Sequence, residues 1–315
     1  MNLQDKLNKE LDGLDWIPGN EVVSVKETAH TIESLSNPYR SYSSNRPINN
    51  GLKRLNKTNY VDTRTGEIKT YNTHAKRSYQ SFNRSFNLLK DKINANFSGQ
   101  KNESFLTLTF ADRSRAFSKD EKHNKSVVKS CKHDLDNFLK RLRRRVETGN
   151  HKLIHIIIME PQHSGSPHFH ILLKLLHARN LDLSHDLIQN LWKLGFSNVK
   201  PLNNISAIPA YFHAHLTDMP LEELSELPNG AETVERVVEG TPKKFVKGAR
   251  LRYFPKDINY FSSSKDLKKP TKSIMKAEEA RKRAQAKGLK LTYKTKYSFQ
   301  LSENDRREYR REEWS

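Results

Sequence analysis

The chain has 315 residues, a formal net charge of +20 and 35% hydrophobic residues. A cation excess of that size attracts polyanions before any specific contact forms, so nucleic acid is the leading expected partner. A single cysteine, Cys131, excludes an internal disulfide framework and a zinc site built from several thiolates, and implies a reducing cytoplasm. Residues Met1–Lys6 lack a basic flank and apolar stretch of the secretory kind, and nowhere do about 18 apolar residues follow one another, so neither export nor a membrane span is expected.

Residues 1–75 are rich in Asn, Ser, Thr and charge and lack apolar periodicity around Ser34–Pro47; a mostly irregular polar arm is expected there. From Lys76 to Phe97 the residues Phe82, Phe86, Leu89, Ile93 and Phe97 recur at near-helical spacing. Phe105–Phe110 alternates Leu106, Leu108 and Phe110 against Thr107 and Thr109, the pattern of a strand with one buried face. Val128, Leu135, Phe138, Leu139, Leu142 and Val146 make the apolar stripe of a second helix. Its C-terminal cations Arg143, Arg144 and Arg145 suit the helix dipole as well as DNA.

Leu153–Glu160 reads as a central strand, Pro161–Pro167 as a turn and His168–Leu176 as the returning strand of an antiparallel hairpin. A helix over 184–194, a short strand over 196–200 and a helix over 205–216 follow. This order predicts an α+β sandwich, with helices packed on an antiparallel sheet. The core is placed at 76–217, followed by an acidic insertion at 218–240 and a basic aromatic extension with a solvated helix or tail at 241–315.

His168 and His170 are two apart on a strand, so both imidazoles share one face roughly 6 to 7 Å apart, close enough to grip one cation. The hairpin brings Glu160 beside them. Glu160 is the preferred third ligand, with His163 in the turn as its competitor. A mixed nitrogen and oxygen set with open positions suits Mg²⁺ or Mn²⁺ better than a closed zinc site.

The stretch Met159-Glu160-Pro161, the Gly-containing turn and Ser166-Pro167-His168-Phe169-His170-Ile171-Leu172 resembles the His-hydrophobic-His motif of HUH endonucleases found in rolling-circle replication initiators of plasmids and phages. Phe105–Phe110 resembles that family's first conserved strand, and the match runs from Ser104 to Leu216. The resemblance implies a five-stranded antiparallel sheet of ferredoxin-like type with the histidines on a central strand. It also implies a tyrosine nucleophile on a downstream helix. Ile208–Thr217 looks like that third motif, with Tyr211 in the nucleophile position; relatives carry a Lys or second Tyr where this chain has Ala214 and His215. His215, one helical turn from Tyr211, is a candidate for moving a proton or touching phosphate. The implied reaction is nicking of one origin strand, leaving a 5′-phosphotyrosine and a free 3′-hydroxyl primer. Host helicase and polymerase are the implied partners.

Cations interleave with aromatics from Lys247 to Pro270, the combination that binds unpaired nucleic acid. Arg250, Arg252, Tyr253, Lys265, Lys268 and Lys269 are the candidate DNA contacts there, and Tyr260 is the reserve nucleophile. Rival readings are a non-enzymatic nucleic-acid-binding protein, in which the two histidines are incidental, and an HUH-class transposase or relaxase. Formation of a metal-dependent covalent adduct separates enzyme from binder.

Overall fold

A computed structural model describes residues 17–36, 52–56, 59–63, 65–70, 79–118, 120–161, 167–202, 208, 212, 216, 218–223, 233–238, 241–246, 249, 259–302 and 305–315. These fall into two compact units, one of Met1–His74 with Lys269–Ser315, the other of Ala75–Lys268.

The first unit joins the two ends of the chain. Its N-terminal part carries β1 (Val22–Glu27) and β2 (Ile32–Ser36), then a small antiparallel sheet of β3 (Leu52–Arg54), β4 (Asn59–Asp62) and β5 (Ile68–Thr70). The second unit contains α1 (Tyr79–Asn96), β6 (Glu103–Thr109), α2 (Glu121–Val146), β7 (Lys152–Pro161), β8 (Pro167–Leu176), α3 (His185–Trp192) and β9 (Ser197–Pro201). It continues with β10 (Met219–Pro220), β11 (Thr233–Val238), β12 (Thr241–Val246) and β13 (Phe261–Ser263). The chain then returns to the first unit as β14 (Thr271–Lys276), α4 (Ala277–Ala286), β15 (Leu291–Ser302) and β16 (Asp305–Trp314).

The fold class is α+β, as expected, and the second unit holds the expected five-stranded antiparallel sheet, in the order β13-β7-β8-β6-β9. β8 is the middle strand. Alternation along the strands gives the sheet two apolar faces. One buries Leu106, Leu108, Ile171 and Leu173 against the α2 stripe Val128, Leu135, Phe138, Leu139 and Leu142 and against Trp192 of α3. The other buries Ile154, Ile156, Ile158 and Leu172 against Phe82, Phe86, Leu89 and Ile93 of α1 and against Phe212 and Leu216. Ile208, Phe212 and Leu216 are helical, within the helix expected over 205–216; the residues between them lie outside the described ones. The connection from α1 into the sheet is tied by the buried Glu103, which accepts hydrogen bonds from the backbone N–H groups of Ser98, Gly99 and Gln100 and pairs with Lys174 at 2.8 Å.

Three expectations are corrected. The first 75 residues, expected as a mostly irregular arm, hold five strands among their described residues. The C-terminal residues, expected as a solvated helix or tail, form the long hairpin β15–β16. Together these ends make one antiparallel sheet, β14-β1-β2-β16-β15, whose core is Ile17, Val23, Val25, Ile32 and Met275 against Ala277, Ala280 and Ala284 of α4. The apolar positions are too few in either segment to give a period. Burial of β1 and β2 is completed by partners more than 200 residues away in sequence, as where Val25 lies beside Ser273 and Ile32 beside Trp314. Charge is absorbed in the same way: Glu312, almost fully buried, takes a bidentate hydrogen bond from Arg281 of α4. Finally, the span expected as an acidic insertion contributes β10 and β11 to a three-stranded sheet with β12, in which Glu235 and Arg236 sit opposite Lys244 and Lys243.

Candidate metal centre and nucleic-acid interface

Glu160, His168 and His170 come together at one end of the central sheet. Antiparallel pairing sets Glu160 of β7 directly opposite His168 of β8, and Ile158 opposite His170. On the other flank of β8, Thr109 of β6 stands opposite His168 and Thr107 opposite His170. Cross-strand partners point to the same face, so Glu160, the two imidazoles and the two threonine hydroxyls share one surface. Phe169 points to the opposite side, where it meets Phe110 edge-on.

The hydroxyls fix the rings. Thr109 Oγ1 lies 2.9 Å from His168 Nδ1, and Thr107 Oγ1 lies 3.4 Å from His170 Nδ1. A hydrogen bond at Nδ1 sets the tautomer and directs Nε2 toward a ligand. Thr109 is itself pinned, because its carbonyl accepts from Trp192 Nε1 at 3.0 Å and its N–H donates to the Phe196 carbonyl at 2.9 Å. Read from the sequence alone, Thr107 and Thr109 are the solvent side of a strand. The signal that identifies them is a Thr-x-Thr strand with the same period as the His-x-His strand.

His170 and Glu160 are buried and hydrogen-bonded, Nε2 to Oε2 at 2.9 Å. His168 is half-buried, its ring centroid 4.7 Å from that of His170. Phe105 stacks on His170 at 5.5 Å, and Phe212 approaches the same ring at 5.5 Å. The helical segment containing Phe212 therefore packs on the histidine-bearing face. Among the described residues no three His, Cys, Asp or Glu side chains form a group placed to hold a metal ion. The direct Glu160–His170 hydrogen bond accounts for this, since each group fills the position where the other would meet a cation. Its length still suits a shared ion: two neighbouring ligands of an octahedral Mg²⁺, each about 2.0–2.1 Å from it, stand roughly 3 Å apart.

Tyr211, His215 and the competing ligand His163 lie outside the described residues, as do Arg250, Arg252 and Tyr253. Lys265, Lys268 and Lys269 are exposed, and the Lys268 backbone is clamped by Asn96, whose side chain bonds both its N–H and its carbonyl. Tyr260, the reserve nucleophile, is corrected to a core residue. Its ring is 1% exposed and stacks on Phe82 at 4.9 Å, where a phosphate cannot reach its oxygen. Part of the α2 basic cluster is structural, since Arg141 donates two hydrogen bonds to the Leu191 carbonyl.

Another histidine behaves differently. His155 of β7 is set against Ser264, with its Nδ1 2.9 Å from the hydroxyl. Burial, reinforced by the nearby Arg143 guanidinium, pushes its pKa down from 6.5 to about 4.

No helix among the described residues is long and apolar enough to cross a membrane. No curated protein and no solved structure matches the chain. Residues 103–218, from the start of β6 through the hairpin bearing Glu160, His168 and His170 to just beyond Leu216, match the family model of the replication-associated protein ORF2; with this segment the chain belongs to that family of phage rolling-circle replication initiators.

Proposed function

We propose that the protein nicks one strand of single-stranded or melted origin DNA by attack of Tyr211, aided by a divalent cation, Mg²⁺ or Mn²⁺, that His168, His170 and Glu160 would hold. The observation that carries this reading is the position of Phe212. The residue immediately after Tyr211 has its ring 5.5 Å from His170, which brings the helical segment of the expected nucleophile onto the face that carries the candidate ligands. The donor chemistry fits as well: two imidazoles oriented through Nδ1 and one carboxylate leave coordination positions for phosphate oxygens and water.

A phenol with an ordinary pKa near 10 is a poor nucleophile at neutral pH, so it needs an electrophile made more reactive. When bound, the cation would supply Lewis-acid polarisation of the scissile phosphate. The Tyr211 oxygen forms a bond to phosphorus, the bond from phosphorus to the 3′-oxygen breaks, and the DNA keeps its phosphodiester energy as a 5′-phosphotyrosine. The phenolic proton passes to a base, for which His215 is the candidate, and the departing 3′-oxygen takes up a proton. The free 3′-hydroxyl then primes a polymerase. With no second tyrosine in the motif, one tyrosine serves nicking, and rejoining uses water or another subunit. Unwinding falls to a host helicase, because the sequence has no phosphate-cradling Gly-Lys-Ser/Thr loop.

Trapping the adduct on origin DNA in the presence of Mn²⁺, followed by peptide mapping, tests the proposal. The nucleotide is expected on Tyr211, and Tyr211→Phe abolishes the adduct while leaving DNA affinity in place. A nucleotide recovered on another tyrosine refutes the assignment. No adduct with any divalent cation on cognate DNA leaves a non-enzymatic DNA-binding protein.

A further inference from the structure

Phe196 is a large apolar side chain left 62% exposed on a rigid backbone. Its carbonyl accepts from Thr109 N–H at 2.9 Å, extending the β6–β9 ladder by one residue beyond Ser197 opposite Leu108. On either side of it, Gln189 of α3 donates to the Gly195 carbonyl at 3.0 Å and accepts from the Ser197 hydroxyl at 2.6 Å. Ser197 is fully buried on the α2 side of the sheet, so alternation turns Phe196 to the other face. One row of that face therefore reads Glu160, His168, Thr109, Phe196 across β7, β8, β6 and β9. Phe196 stands two strands from His168, about 10 Å.

The same edge strand continues the pattern. Asn198, opposite Thr107, and the exposed Lys200, opposite Phe105, share the face of Phe196. An aromatic ring, an amide and a cation thus follow one another at about 6.8 Å intervals along the edge of the histidine-bearing surface. A ring held out in water by a fixed backbone contributes nothing to the core, whereas it offers a flat surface to an unpaired base. The amide can hydrogen-bond a base edge and the ammonium can meet a phosphate. The chain's +20 charge favours a polyanionic occupant over an apolar protein surface.

We infer that β9 is a binding subsite for single-stranded DNA, in which Phe196 stacks on an unpaired base beside the nicking site, Asn198 contacts a base edge and Lys200 a phosphate. This rests on the proposed reading that the strand to be cut crosses the face of His168 and His170, and it adds a positioning site outside the family's histidine and tyrosine motifs.

The test uses the full-length protein in chelator, so that no chemistry intervenes, with short single-stranded DNA carrying 2-aminopurine at successive positions. Wild-type protein should change the fluorescence of one or two positions strongly, as stacking does. Phe196→Ala should abolish that signature and weaken single-strand binding roughly 5- to 150-fold, while Phe196→Trp keeps both. Because the ring is exposed, thermal unfolding of Phe196→Ala should match wild type. Equal affinity and equal fluorescence in Phe196→Ala and wild type would overturn the inference, as would wild-type protein that ignores single-stranded DNA or binds an RNA of the same sequence more tightly. Adduct formation is scored separately with Mn²⁺. An adduct in wild type with no effect of Phe196→Ala on binding sinks this inference alone, whereas loss of stacking in a protein that never forms an adduct sinks the nuclease reading alone.

Discussion

Thr109 Oγ1 and His168 Nδ1 face each other at 2.9 Å across the β6–β8 ladder, and the same pairing repeats two residues along with Thr107 and His170. A hydroxyl held by one strand thereby sets which nitrogen of an imidazole on the next strand is presented outward. Thr109→Val keeps the shape and removes that hydroxyl. Affinity for Mn²⁺, followed by calorimetry, should fall about 10- to 100-fold with little loss of stability. Unchanged affinity would mean that the hydroxyl does not orient a ligand.

Glu160→Gln keeps the volume of the side chain and its ability to bond His170 Nε2, which lies 2.9 Å from the carboxylate, but removes the charge. Nicking should drop by at least about tenfold, and Mn²⁺ affinity should fall with it. Salt-sensitive DNA binding should be retained. A variant that nicks normally would take Glu160 out of the ligand set and return attention to His163.

Gly195 stands where the chain crosses the end of β6. A Cβ there would lie 2.2 Å from the Thr109 carbonyl oxygen and 2.5 Å from Ala111 N, both backbone atoms that cannot swing aside. Gly195→Ala should therefore cost about 2 to 3 kcal/mol in denaturant unfolding. The displaced Thr109 should also weaken single-strand binding through Phe196. Wild-type stability in this variant would contradict the close approach.

His155 gives a pH dependence whose sign follows from linkage. Its pKa is about 4 in the folded protein, against 6.5 ordinarily, so between those values the unfolded chain binds more protons. The stability contributed by the neutral ring is complete above 6.5 and is lost as pH falls toward 4. A shift of that size corresponds to about 3 kcal/mol, which the ring's partial exposure reduces to on the order of 1 to 2 kcal/mol. The difference in unfolding free energy between wild type and His155→Gln should change by that amount between about pH 7 and about pH 4, with wild type losing more. A constant difference would show that the ring does not titrate there.

The exposed Lys265, Lys268 and Lys269, with Arg250 and Arg252, should add affinity for DNA without serving the chemistry. Each phosphate left without its cation after replacement by Ala lowers the slope of log affinity against log salt by about 0.7 for a single strand or about 0.9 for duplex. An unaltered slope would place the path of the DNA elsewhere.

The sequence by itself determined the sheet-forming hairpin and the sidedness of His168, Phe169 and His170, because a strand's period of two is local and needs no partner to be read. Its helices were legible for the same reason, as in the α2 stripe from Val128 to Leu142. Tertiary structure decided which residues stand beside those histidines. Thr107, Thr109 and Phe105 arrive from a strand about 60 residues earlier, and Phe212 from a helical segment about 40 residues later, through pairings with no local signature. Tyr260 shows the same dependence in reverse: its basic, aromatic flanks suggest an exposed nucleophile, yet its ring is packed on Phe82 from α1. The joining of the two chain ends was equally hidden. Val23, Val25 and Ile32 are too few to mark a core alone, and they become one only when β14, α4 and β16 supply the missing apolar surface and the Arg281–Glu312 pair neutralises the charge carried in with it.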